Sequence, residues 1–166
     1  MSFEENNALL QAKRRRHDKI VMVTAFDYFT AVAAEAAGVD MILVGDSAAT
    51  TVLGMATTQE VTLEEMLVIT RAVGRGKESR IVVGDLPFGS YEASDEIAVV
   101  TATRFVQAGC DAVKMEGAGT TVDRATAVIA AGIPVMGHVG LLPQQLGPGD
   151  QPRGSGADGE GGDTTS

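Results

Sequence analysis

Carboxylates, a lysine and a histidine stand where apolar runs stop, and these are the residues best placed to do chemistry. In Val82-Val83-Gly84-Asp85-Leu86-Pro87-Phe88 a β-preferring run meets a proline. The residue before proline is pushed out of regular structure, so Asp85 falls at a strand's C-terminal tip. The same grammar recurs in Met41-Ile42-Leu43-Val44-Gly45-Asp46-Ser47, Ala112-Val113-Lys114-Met115-Glu116-Gly117 and Pro134-Val135-Met136-Gly137-His138. Asp46 and Asp85, at the tips of different strands, would share one mouth of a barrel. Neighbouring carboxylates repel unless a proton or cation neutralises them, and a hard ion such as Mg²⁺ takes oxygen ligands of this kind. Taken singly, each aspartate suits a turn cap as well; together, in repeats of one pattern, they favour a metal site. Lys114 and Glu116 lie two apart, so on a strand they face the same way while Val113 and Met115 face the other. Burying Val113 and Met115 against helices sends Lys114 and Glu116 into the mouth, either as site groups or as a structural ion pair. His138 at the fifth tip is a further candidate, with an ordinary hydrogen-bonded histidine as the alternative.

Successive helix and strand units must hold these tips in place. Ala37-Gly38-Val39-Asp40, Ala108-Gly109-Cys110-Asp111 and Ala131-Gly132-Ile133-Pro134 each close a helix and launch a strand, an internal repeat that indicates βα units. The spacing predicts a polar helical lead-in over residues 1–19, a strand over Ile20 to Ala25 with Asp27 just beyond it, and a helix over Thr30 to Ala37. Thr62-Leu63-Glu64-Glu65 is a capping box opening a helix with Leu63, Met66, Leu67 and Val73 on one face. Ser94 or Asp95 caps the next helix, and Thr121 to Ala130 forms another. The long loop from Ser47 to Val61 follows a strand tip and is a candidate active-site loop. Strands apolar on both faces belong to parallel sheets covered by helices, where ligands bind at the carboxyl ends. Residues 147–166 hold seven glycines, two prolines and four acids with Ala157 as their one apolar side chain, so a disordered tail is expected there.

A net charge of -9 argues against a nucleic-acid surface, and the basic run Lys13-Arg14-Arg15-Arg16-His17 reads as a solvated helix or arm. The single cysteine, Cys110, permits no intramolecular disulfide, and its position suits a small buried residue in a reducing cytoplasm. No apolar run is long enough to span a bilayer and no charged-then-apolar leader stands near Met1, so a soluble cytoplasmic protein without membrane partners is expected. Gly74-Arg75-Gly76-Lys77 fails as a phosphate loop, because Arg71 stands where its first glycine belongs and Glu78 follows the lysine. No serine sits in a nucleophile elbow and no Cys/His spacing suits zinc. The residues alone lead to a metal-assisted α/β enzyme acting on a small anionic substrate.

At Val23-Thr24-Ala25-Phe26-Asp27-Tyr28, Leu43-Val44-Gly45-Asp46-Ser47, Val83-Gly84-Asp85-Leu86-Pro87-Phe88-Gly89-Ser90-Tyr91, Val113-Lys114-Met115-Glu116-Gly117 and Gly137-His138-Val139-Gly140-Leu141-Leu142-Pro143-Gln144, the chain closely resembles the ketopantoate hydroxymethyltransferase family. That family belongs to the barrel superfamily of phosphoenolpyruvate mutase and isocitrate lyase. The resemblance, from about Ile20 to Leu146, implies a (β/α)8 TIM-type barrel. It also implies transfer of a one-carbon unit from 5,10-methylenetetrahydrofolate to 3-methyl-2-oxobutanoate, giving 2-dehydropantoate on the route to pantothenate and coenzyme A, and homo-oligomeric assembly. By the same resemblance Asp46 and Asp85 bind Mg²⁺, with Glu116 holding it directly or through water. Ser47, Asp85 and Lys114, together with Asp46, hold the 2-oxo acid, and Lys114, Glu116 and His138 are the catalytic candidates.

The sequence departs from the family in two places. The family's loop G-D-S-L-G-M is Gly45-Asp46-Ser47-Ala48-Ala49-Thr50 here, and its T-L-P-V-T is Thr58-Gln59-Glu60-Val61-Thr62, changes that bear on how the loop closes over substrate. A full barrel takes roughly 250 residues, so residues 1–146 are expected to form an incomplete barrel of about five units, without the family's glutamate general base. The competing readings are a lyase or mutase of the same superfamily, and a non-catalytic fragment.

Overall fold

The structure, a computed structural model, describes residues 3–145. The tail expected over 147–166 lies outside the described residues. Helices and strands alternate as α1 (Phe3–Arg16), β1 (Met22–Thr24), α2 (Tyr28–Ala37), β2 (Met41–Val44), a short α3 (Ala48–Thr51), α4 (Leu63–Gly76), β3 (Ile81–Asp85), α5 (Asp95–Gln107), β4 (Ala112–Glu116), α6 (Thr120–Ala130) and β5 (Val135–His138). Single 3-10 turns occupy Thr58–Glu60 and Pro143–Gln145. All strands are parallel, in the order β1-β2-β3-β4-β5. The described residues thus form a partial (β/α) barrel.

Local chemistry sets the helix ends. Asp27, read from sequence as a residue beyond a strand tip, is the N-cap of α2: its Oδ1 accepts the Thr30 N–H at 2.8 Å, which starts the helix two residues earlier than expected. The helix stops at Gly38, whose φ of 77° is the left-handed conformation that favours glycine. The Thr62/Glu65 capping box forms as expected, and Ser94 rather than Asp95 caps α5 by accepting the Ile97 N–H at 3.2 Å. The expected first strand, Ile20 to Ala25, shortens to Met22–Thr24 because its ladder with β2 begins only at the Met22 and Met41 pair.

The two faces of the sheet are buried against different partners. Ile42, Val44, Val82, Val113 and Met115 pack into the main core with the helices, including Met66, Val73, Ala102 and Phe105. Met41, Ile81, Val83 and Ala112 face the other way and meet Phe3 and Leu10 of α1. Three of these four open their strands, so α1 covers the amino ends of β2, β3 and β4. The lead-in helix is therefore packed through Phe3 and Leu10, while Arg14, Arg15, Arg16 and His17 of the basic run are exposed as expected. Asn6 donates to the Ser79 carbonyl at 2.5 Å, and Lys13 pairs with Asp40 at 2.5 Å.

The aspartates of the repeat brace that same end. Asp40 accepts the Val21 N–H and Asp111 accepts the Val82 N–H, each at 2.8 Å, so each ties the start of its own strand to the strand before it. Asp111 also pairs with Lys77. Pro134 stands at the third such position, and only its carbonyl contributes, accepting from the Val113 N–H. The amino ends are thus committed to structure, and the carboxyl ends are left for other uses. β1 and β5 are the two edges of the sheet, and Ile20, Val21, Met22 and Val23 are exposed along the first of them.

Gly84 shows how tightly the central strand is packed. A Cβ there would lie 2.4 Å from Phe105 Cδ1 and 2.7 Å from Cys110 Sγ, and both of those side chains are buried. Cys110 is free and buried as expected, with burial pushing its thiol up to about 12. Gly84→Ala is expected to destabilise the fold by about 1–3 kcal/mol through overpacking. Urea unfolding checks this, and an unchanged midpoint would contradict the packing described.

Candidate active site

Strand register brings the expected site residues together. Asp85 of β3 is paired in the sheet with Lys114 of β4, and Glu116 of β4 with His138 of β5. Partners in a parallel ladder point to the same face, and side-chain contacts follow from that. Lys114 Nζ donates to Asp85 Oδ2 at 2.6 Å, and Glu116 Oε2 lies 2.9 Å from His138 Nδ1. An ionised carboxylate only accepts, so the hydrogen bond requires the proton on Nδ1 and leaves Nε2 as the basic nitrogen of the ring. Val113 and Met115 are buried on the helix side, as their parity in the sequence requires.

Asp46 lies just past the end of β2. Its backbone N–H points at Asp85 Oδ2 at 3.4 Å, which draws the two strand tips together. Asp46, Asp85 and Glu116 are all buried, Asp85 to 1% exposure. Lys114 and His138 are partly buried. Ser47, half-buried, stands immediately before α3 and makes no side-chain capping bond; its carbonyl accepts from Thr50 and Thr51.

Asp85 has an uneven environment. Its Oδ2 receives Lys114 and the Asp46 N–H, whereas its Oδ1 is buried and accepts no hydrogen bond. Burial pushes the carboxyl up to about 6, with the Lys114 ammonium pulling it down and the Asp46 carboxylate pushing it up.

Residues without an assigned role in the sequence reading complete the site. Gln144, from the turn after β5, donates its backbone N–H to Glu116 Oε1 at 2.8 Å and its side-chain amide to Asp46 Oδ2 at 2.9 Å. The Tyr91 hydroxyl lies 3.0 Å from both Gln144 Oε1 and the Glu116 carbonyl. Gln59, on the long loop expected to border the site, donates to the Gln144 carbonyl at 2.7 Å. Tyr91 and Gln144 both fall within segments carrying the family resemblance, which was the available signal.

The donors present fit a hard divalent cation at Asp46 and Asp85. Two buried carboxylates lie at neighbouring strand tips, and the unsatisfied Asp85 Oδ1 is the kind of atom a cation would satisfy. Glu116 is held by His138 and Gln144 on its two oxygens, and among the described residues no group of three or more His, Cys, Asp or Glu side chains converges to hold a metal ion. Both Glu116 oxygens are thus already engaged by groups of the protein.

Solved structures carry the same architecture. A 2,3-dimethylmalate lyase of the phosphoenolpyruvate mutase/isocitrate lyase superfamily matches with a TM-score of 0.62 at 21% identity, over 80% of this chain and 50% of that one. A phosphonopyruvate hydrolase solved with oxalate and Mg²⁺ matches with a TM-score of 0.57 at 15% identity, over 80% of this chain and 62% of that one. The fold is that of this superfamily.

Sequence relatives narrow the class. The profile of the ketopantoate hydroxymethyltransferase family matches residues 5–160. Proteins named 3-methyl-2-oxobutanoate hydroxymethyltransferase from Ignicoccus hospitalis and Hyperthermus butylicus are 51% and 52% identical, over 82% and 80% of this chain and 52% and 46% of their own lengths. A relative from Arabidopsis thaliana, named 3-methyl-2-oxobutanoate hydroxymethyltransferase 1, mitochondrial, is 50% identical over 82% of this chain and 40% of its own. The chain belongs to the ketopantoate hydroxymethyltransferase family. It spans about half the length of the curated relatives it matches.

The raised Asp85 pKa has a definite sign in stability. Between an ordinary value of 3.8 and the folded value of about 6 the folded protein holds a proton that the unfolded chain releases. Asp85 therefore favours folding least above pH 6, and relief of its burial penalty grows as pH falls toward 4. The shift of about two units corresponds to a difference on the order of 3 kcal/mol. Urea unfolding of the wild type and Asp85→Asn without divalent cations is the check. The stability of the wild type relative to the variant should fall as pH rises from 4 to 7, and a flat difference would contradict the assignment.

Proposed function

We propose that this chain carries the metal- and oxo-acid-binding part of a Mg²⁺-dependent 3-methyl-2-oxobutanoate hydroxymethyltransferase. The overall reaction is transfer of a hydroxymethyl group from 5,10-methylenetetrahydrofolate to 3-methyl-2-oxobutanoate, giving 2-dehydropantoate. Family membership supports the reaction. The observation that carries the site is the buried Asp85 carboxylate, engaged on one oxygen by Lys114 and open on the other beside Asp46.

Asp46 and Asp85 would hold the cation, and a phosphonopyruvate hydrolase of the same fold was solved with oxalate and Mg²⁺. Bound to the 2-oxo group, Mg²⁺ would act as a Lewis acid that stabilises negative charge on the oxo oxygen. Lys114 would bind the substrate's carboxylate or oxo oxygen; its ammonium sits on Asp85 and has further N–H donors. Ser47, at the β2 tip with a hydroxyl not used for capping, offers a neutral donor to the same substrate. The reaction removes a proton from the carbon next to the oxo group and joins that carbon to the folate's methylene carbon; both methylene C–N bonds to the folate break, water supplies the hydroxyl oxygen, and the two protons released end on the folate nitrogens. Among the described residues the His138 and Glu116 pair is the group fitted to handle such a proton, with Glu116 stabilising the imidazolium that Nε2 protonation would create.

Homo-oligomeric assembly and a cytoplasmic location belong to the same proposal. No helix among the described residues is long and apolar enough to cross a membrane.

Calorimetric titration of the 166-residue chain with Mg²⁺ in the presence of 3-methyl-2-oxobutanoate tests the site. Asp46→Asn and Asp85→Asn should each weaken Mg²⁺ binding by at least about tenfold, as loss of a charged ligand demands. Wild-type affinity in both variants would overturn the assignment.

A further inference from the structure

Gln144 uses every polar group it has. Its N–H donates to Glu116 Oε1 at 2.8 Å, and its carbonyl accepts from Gln59 at 2.7 Å. Its Nε2 donates to Asp46 Oδ2 at 2.9 Å and to the Leu86 carbonyl at 3.1 Å, and its Oε1 faces the Tyr91 hydroxyl at 3.0 Å. Only 2% of the residue is exposed. One residue thus joins the tips of β2, β3 and β4 to the loop after β5.

The amide has a single sensible orientation. Its nitrogen faces a carboxylate and a carbonyl, which only accept, while its oxygen faces a hydroxyl, which can donate; the flipped amide would set oxygen against both acceptors. This fixes which oxygen of Asp46 is engaged. Asp46 Oδ2 is tied back toward Gln144. The Asp46 N–H at 3.4 Å from Asp85 Oδ2 draws two like-charged carboxylates to neighbouring strand tips, so Asp46 needs such a tether to stay beside Asp85. At the same time the Gln144 backbone occupies Glu116 Oε1, which with His138 on Oε2 keeps that carboxylate out of the pair.

We propose that Gln144 is a positioning residue that divides the work among the three carboxylates, holding Asp46 as a cation ligand beside Asp85 while reserving Glu116 for His138. The inference rests on the metal reading above. Nothing in it requires Gln144 to touch substrate or metal; it acts through the oxygens it holds.

Gln144→Met keeps the length of the side chain and removes the amide's donor and acceptor. Calorimetry with Mg²⁺ and 3-methyl-2-oxobutanoate should show about tenfold weaker Mg²⁺ binding, the scale typical of losing a residue that orients a ligand. Thermal unfolding with and without Mg²⁺ separates positioning from support, because a purely structural residue lowers the melting temperature while leaving the Mg²⁺-induced increment intact. The increment should shrink with the lost affinity. If Gln144→Met does not fold, Tyr91→Phe decides instead: it removes the hydroxyl that aims the amide and keeps the ring, and about threefold weaker binding is expected for one hydrogen bond. A wild type that binds Mg²⁺ and a deciding variant that binds it equally well, with the same thermal increment, overturns the role of Gln144 and leaves the metal site standing. A wild type that binds no Mg²⁺ overturns both.

Discussion

A carboxylate buried at the tip of the central strand is the constraint on which this site depends. Asp85 is almost wholly removed from water, and an ionised carboxylate so placed is costly unless it is paired and hydrogen-bonded. The fold supplies half of the compensation. The register of β3 with β4 sets Lys114 beside it, and the turn after β2 brings the Asp46 N–H. The other half is missing from the protein's own groups, since Oδ1 has no donor. A buried carboxylate left incompletely satisfied, with its pKa raised and a second carboxylate beside it, costs stability, and this is the cost that the proposed cation would relieve.

Everything else in the sheet serves that asymmetry. At the amino ends, Asp40 and Asp111 accept backbone N–H groups of neighbouring strands and α1 covers the apolar residues, so every polar group named there is spent on structure. At the carboxyl ends the same kinds of residue are arranged around a shared space. Glycine at position 84 lets α5 approach the central strand closely enough for Phe105 to sit beneath the site, and the Tyr91 and Gln144 hydrogen bonds close the space from the loop side. Aspartate thus does opposite jobs at the two ends of one repeat, and the difference lies in whether backbone donors are within reach.

Much of this was legible in the sequence because it is local. Strand tips, the Thr62 capping box, the glycine-launched repeat and the parity that sends Lys114 and Glu116 to one face are all decided by neighbours a few residues away. Asp27 was the local exception: a carboxylate after a strand reads alike as a site residue and as a helix cap, and only the Thr30 contact distinguishes them. The packing of α1 was hidden because its polar, basic sequence gives little apolar stripe, yet two of its apolar side chains suffice to cover the strand starts. Gln144 was legible as part of a motif but not as a hub. Its partners Glu116, Leu86, Asp46, Tyr91 and Gln59 come from 28 to 98 residues away, and three of its bonds are made with backbone groups whose direction no residue type reveals.

The central claim, that Asp85 and Asp46 form a cation site whose open atom is Asp85 Oδ1, has one direct test. Mn²⁺ is an oxygen-seeking ion that substitutes for Mg²⁺ and scatters anomalously. Crystals of the chain grown with Mn²⁺ and 3-methyl-2-oxobutanoate should show an anomalous peak within bonding distance of Asp85 Oδ1 and of the Asp46 carboxylate, with Glu116 still bonded to His138. A peak at Glu116 and His138 instead, or no peak in the pocket while the oxo acid is bound there, would contradict it.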